Sequence, residues 1–100
     1  MVTVAQVKSD EEVIAIMDIA ESQIEALGFT EHSVRHSTLV SKWAGEILEK
    51  IGAEPRRVEL ARIAGYLHDI GNSVNREDHA QSGALLAYQI LTRMGMGYRE

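Results

Sequence analysis

One hundred residues with 45% apolar content and a net charge of −5 make one domain with enough apolar surface for a single modest core. The absence of cysteine rules out a disulfide framework and thiolate-rich zinc sites, so any metal must accept nitrogen and oxygen ligands. The acidic balance disfavours sequence-independent binding to a nucleic-acid backbone, so nucleic acid is not an expected partner, although a local cluster around a cation can still attract one phosphate group.

The N-terminus, MVTVAQVKSDEE, lacks a basic region followed by an apolar run, and no stretch approaches the roughly 20 apolar residues of a membrane span. A cytoplasmic location without a membrane partner is the expectation. The first helix is expected from about Asp10 to Leu27, with Ser9 and Glu12 forming a capping box, Val13, Ile16, Met17, Ile24 and Leu27 forming an apolar stripe, and Gly28 as the stop. The second is expected to begin near Thr30 as N-cap and to carry His32, His36, Val40, Trp43, Ile47 and Ile51 on its core-facing stripe before Gly52. The third opens at Glu54-Pro55, with proline suited to a first helical turn, and is apolar almost all round, which predicts the central helix. Gly71-Asn72 ends it, and a polar loop runs to Arg76. Asp78 is the expected cap of a fourth helix, which carries His79, Gly83, Leu86, Ala87, Ile90 and Met94 on one stripe. The closing Met94 to Glu100 is too short to form another element. No segment alternates like a half-buried strand, so the expected fold is all-α: a compact bundle of about four helices, with residues 1–100 as one domain.

The string GYLHDIGN, Gly65 to Asn72, sets His68 and Asp69 side by side at the end of a strongly apolar segment. A histidine and a carboxylate there are costly to desolvate, and a divalent cation compensates them efficiently. All four histidines fall on apolar stripes near helix ends. Short loops favour antiparallel neighbours, which would bring the ends bearing His32, His68 and His79 to one side of the bundle, together with the Asp69 carboxylate. Each histidine taken alone is better read as a core residue bonded to a backbone carbonyl; it is the convergence that points to a metal.

The segments EHSVRH at Glu31 to His36, LHDIG at Leu67 to Gly71 and HAQSGA at His79 to Ala84 resemble the HD superfamily of metal-dependent phosphohydrolases. The resemblance covers roughly Thr30 to Met94. It implies a helical bundle holding one or two divalent ions, with His32 as the first ligand, His68 and Asp69 as the doublet, and His79 as the further histidine of two-metal members. His36 falls where the family carries an apolar residue, which makes it a packing residue or a support for the ligands. The histidine-rich set suits manganese, iron, cobalt, nickel or zinc better than magnesium. The implied chemistry is hydrolysis of a phosphate ester, most plausibly of a nucleotide, with the ion polarising the phosphoryl group and activating water. Asp69 is then a catalytic residue as well as a ligand. Arg35 is a candidate phosphate contact with a catalytic role, and Arg76 a second such contact, since the guanidinium fork matches phosphate oxygens.

Two positions depart from the family pattern. Its final aspartate lies several helices beyond the doublet, and the chain stops at Glu100 first. Either the chain is the N-terminal part of a longer protein, truncated at the C-terminus, or water completes the coordination sphere, or the domain has lost catalysis. Asn72 replaces the lysine that some relatives carry after HDIG. The competing functional reading is therefore a non-catalytic regulatory module binding a phosphorylated ligand or a partner helix. A plain structural bundle would hold no stoichiometric metal. A homo-oligomer stays open.

Overall fold

The computed structural model describes residues 1–26, 28, 34–73, 79–97 and 99–100; at 72, 73, 79 and 80 it describes the backbone alone. Five α-helices are present among these residues: α1 (Val4–Ser9), α2 (Glu11–Ala26), α3 (Val34–Lys50), α4 (Pro55–Leu67) and α5 (His79–Arg93), with a short 3-10 turn at Ile70–Ser73. The all-α expectation holds. No helix among the described residues is long and apolar enough to cross a membrane.

The N-terminal twelve residues hold the first departure. Thr3 caps α1 through a reciprocal capping box with Gln6, and Val7 is fully buried. The expected Ser9–Glu12 box does not form, because Ser9 is the last residue of α1 and its hydroxyl donates back to the Gln6 carbonyl. Asp10 takes the cap instead: its carboxylate accepts the Val13 N–H at 3.1 Å. Leu27, Thr30, Arg76 and Asp78 lie outside the described residues.

The second departure concerns α3. The expected core stripe is largely outside: Trp43, Ile47 and Ile51 are 52%, 61% and 73% exposed. The residues α3 buries are Ser37, Ser41 and Gly45, which lie about 80° to 160° around the helix from the middle of that stripe. Proximity is the reason. α3 runs antiparallel to α4 and so close to it that a Cβ on Gly65 would sit 3.0 Å from the Ser41 Cα, which leaves room only for small side chains. Ser41 satisfies its hydroxyl by donating to the Arg62 carbonyl at 2.7 Å. Beside this contact, Arg62 pairs with Glu49.

The core proper lies between α1, α2, α4 and α5, where Val7, Val13, Met17, Ile63, Tyr66 and Ile90 meet. Ile70 joins it at 1% exposure, and both α2 and α5 pack on the turn that carries it. Gly83 makes that approach possible, since a Cβ there would lie 3.2 Å from the Gly71 nitrogen. α4 is central but not covered all round: Ala64 is exposed and Leu60 only half-buried. The chain ends are tied through Arg56, which donates to the Val2 carbonyl at 2.6 Å and to both Glu100 carboxylate oxygens at 2.9 Å.

Candidate metal centre

The doublet sits where the α4 helix gives way to the 3-10 turn. His68 is the C-cap residue of α4, and its Nδ1 lies 2.6 Å from the Gly65 carbonyl. A carbonyl can only accept, so Nδ1 carries a proton and the ring is oriented with Nε2 pointing away from the helix. That Nε2 is 3.1 Å from Asp69 Oδ2. Asp69 is directed there by its neighbour, because the side chain of Ile70 is locked in the core and fixes the backbone of the turn.

The third member comes from α3. His36 Nε2 is 4.0 Å from Asp69 Oδ2, and the two imidazole centroids are 5.3 Å apart. The Ser41–Gly65 contact sets this meeting, since in antiparallel helices a residue before Ser41 on α3 faces one after Gly65 on α4. Side-chain exposures of 35%, 34% and 13% for His36, His68 and Asp69 describe a cluster open to small solutes at the histidines and closed at the carboxylate.

The donor set fits a metal. Two atoms each about 2.1 Å from one ion stand about 3 to 4.2 Å apart, depending on the angle between them. The Asp69 carboxylate meets the two Nε2 atoms at 3.1 and 4.0 Å, both inside that span, and the three candidate ligand atoms lie within 4.8 Å of one another, so the histidine pair closes on a shared ion with a small side-chain shift. Two imidazoles and one carboxylate suit a first-row transition ion better than magnesium.

Of the expected site residues, His68 and Asp69 are brought together. His32 and the side chain of His79 lie outside the described residues, although the backbone of His79 opens α5 one turn before Gly83 meets Gly71. Arg35 is exposed on α3, about a hundred degrees around the helix from His36. The reading of His36 as a core-stripe residue is corrected: it stands beside the doublet, partly open to solvent. The EHSVRH spacing held the signal, since two histidines four residues apart share one face of an ideal helix and the sequence does not say which of them meets the doublet.

The HD domain family model matches residues 31–96. The chain is 40% identical over 62 residues to Ribonuclease Y of Streptococcus sanguinis (strain SK36), a stretch covering 59% of this chain and 11% of that protein. It is 34% identical over 79 residues to the uncharacterized protein MJ1020 of Methanocaldococcus jannaschii, covering 65% of this chain and 30% of that one. A Ribonuclease Y of Streptococcus pyogenes serotype M5 (strain Manfredo) is 43% identical over 49 residues, 9% of its length. The chain thus spans less than a third of each of these relatives. No solved structure matches it.

Proposed function

This chain belongs to the HD domain family, and from that premise we propose that it binds a divalent transition ion through His36, His68 and Asp69 and hydrolyses a phosphate ester. The observation that carries the reading is the donor triangle itself, two imidazoles and a carboxylate whose candidate ligand atoms lie within 4.8 Å of one another. Manganese, iron, cobalt, nickel and zinc are the candidate metals, as one ion or two, with His32 and His79 as further ligands. When bound, such an ion polarises a phosphoryl oxygen and makes water nucleophilic near neutral pH.

The chain's own residues do the rest. The Gly65 carbonyl accepts from His68 Nδ1 and so orients the ring with Nε2 toward the cluster. Asp69, the least exposed of the three, is the candidate base as well as a ligand. Arg35 is the proposed phosphate contact; its exposed fork can bind a ligand oxygen from the α3 side. A nucleotide is the substrate the family resemblance implies, and the relatives named Ribonuclease Y suggest a phosphodiester. The cluster recognises phosphate oxygens whatever the alcohol. The proposed location is the cytoplasm.

Elemental analysis and a hydrolysis panel of nucleoside monophosphates, cyclic nucleotides and an aryl phosphate test the reading. Near-stoichiometric metal, lost in His68→Ala and in Asp69→Ala, and phosphate release that stops on chelation are the expected results. Absence of loadable metal returns the chain to a structural bundle. Metal-dependent phosphate binding without turnover supports the regulatory module instead. That second reading has one observation in its favour, the exposed Trp43–Ile47–Ile51 stripe, which could receive a partner helix.

A further inference from the structure

α4 and α5 do not close on one another along their whole length. Between them is a cleft of about 320 Å³, walled by Leu60, Ala64 and Leu67 from α4 and by Ala84, Ala87 and Leu91 from α5. That volume is within the range of small-molecule sites. His68 lines one end, so the same imidazole borders both the cleft and the metal cluster. Glu100 lines the other, with both carboxylate oxygens already accepting from Arg56. A second hollow of about 290 Å³ shares Ala84, Leu91 and Glu100 with the first and continues it past Tyr88 and Thr92.

We infer that this cleft holds the apolar part of the phosphate ester whose phosphate sits at His36, His68 and Asp69; the inference rests on the proposed reading of that cluster. The walls select by chemistry. Aliphatic side chains facing an open cleft are hydrated at a cost, and a hydrocarbon chain or ring laid between them removes that cost. The edge of a nucleobase would gain less, because among the described residues the polar side chains bordering the main cleft are two, His68 at the cluster and Glu100, whose carboxylate is held by Arg56. A buried donor or acceptor left unpaired lowers affinity. The ligand class that fits is an alkyl or aryl phosphate, its phosphate at the His68 end and several carbons along Ala64 and Ala84. The two alanines set the width: they lie on opposite walls, both exposed, so a larger side chain at either fills the cleft without entering the core.

The test uses the full chain. With manganese loaded, calorimetric titrations compare inorganic phosphate, hexyl phosphate and adenosine monophosphate. Full burial of a methylene is worth about fourfold in affinity, so even partial burial of six carbons should make hexyl phosphate at least about tenfold tighter than inorganic phosphate, and tighter than the nucleotide. Ala84→Phe and, independently, Ala64→Phe should erase that gain while leaving inorganic phosphate affinity unchanged. No gain from the hexyl chain, a nucleotide that binds as tightly, or a gain that survives both substitutions overturns the inference. A separate arm removes the metal and follows the methyl resonances of Leu60, Leu67 and Leu91. Shifts with hexyl phosphate but no phosphate binding by the loaded chain would sink the metal reading and keep the cleft. Phosphate binding with silent methyls would do the reverse. Methyl shifts that depend on protein concentration without ligand would identify a second copy as the occupant and also overturn it.

Discussion

His68 is already oriented toward the cluster, because the Gly65 carbonyl engages Nδ1 and leaves Nε2 facing Asp69. His36 reaches the cluster because of where α3 places it, opposite the doublet. His36→Ala should therefore weaken metal binding by at least on the order of tenfold with unchanged helix content by circular dichroism, whereas Arg35→Ala should leave the metal in place and weaken only phosphate. Retention of full metal affinity in His36→Ala would return it to a supporting role. The doublet was legible because His-Asp at the end of an apolar helix is costly without a partner. The proposed third donor was not, because helical spacing puts His32 and His36 on one stripe and cannot say which of the two stands opposite the doublet. A different charged residue shows its effect through pH. The Arg93 guanidinium, bonded to Asp10 at 2.7 Å, holds that carboxyl below its ordinary 3.8, with help from the Val13 N–H. A depressed carboxylate pKa stabilises the fold above the unfolded value and loses that contribution as pH falls through the folded one. Thermal midpoints from pH 7 to pH 2 should thus fall less steeply in Asp10→Asn, which keeps the cap for α2 but not the charge, and the difference should shrink in high salt.

At the scale of the element, the informative comparison is α2 with α3. Both carry apolar stripes, and only the α2 stripe is buried, at Val13, Met17 and Ile24. In α3 the face that packs is the one with small side chains, since closeness of backbones rather than apolar area decides the contact with α4. Periodicity reports which residues share a face, and the rule that apolar faces point inward failed because it carries no information on how near the neighbour stands. α1 was illegible for another reason. Six residues are too few for a periodic signal, and its stability comes from tertiary contacts: Val7 in the core and the Val4 N–H donating to Glu59 at 2.7 Å. The α3–α4 contact is directly testable. In Gly65→Ala the new methyl group meets backbone atoms of Ser41 and Val40 at 3.0 to 3.1 Å, which cannot rotate away. An overpacking cost of about 1–3 kcal/mol should exceed the up to about 1 kcal/mol that alanine gains over glycine inside a helix. Urea unfolding should show net destabilisation, and Gly97→Ala, where the added atom meets nothing within 4 Å, should not.

Across the whole molecule, the 3-10 turn joins the site to the fold. α2 and α5 both pack on it, Ile70 is buried in the core beneath it, and Asp69 precedes it directly. An ion drawing His36 and Asp69 together would pin α3 to the turn, and through the turn to α2 and α5, so binding is linked to unfolding of the entire chain. An ion that binds only the folded state stabilises it by about 2.7 kcal/mol at a free concentration a hundred times its dissociation constant. For a domain of this size about 1 kcal/mol moves the thermal midpoint by about 4–8 °C, so saturation should raise it by more than about 10 °C. The rise should vanish on chelation and be missing in Asp69→Ala, whose midpoint without metal reports any structural cost of the substitution separately. A midpoint indifferent to manganese and zinc at concentrations where calorimetry detects binding would mean that the ion sits where it does not cross-link α3 to the turn, and the assignment of His36, His68 and Asp69 as one site would have to be given up.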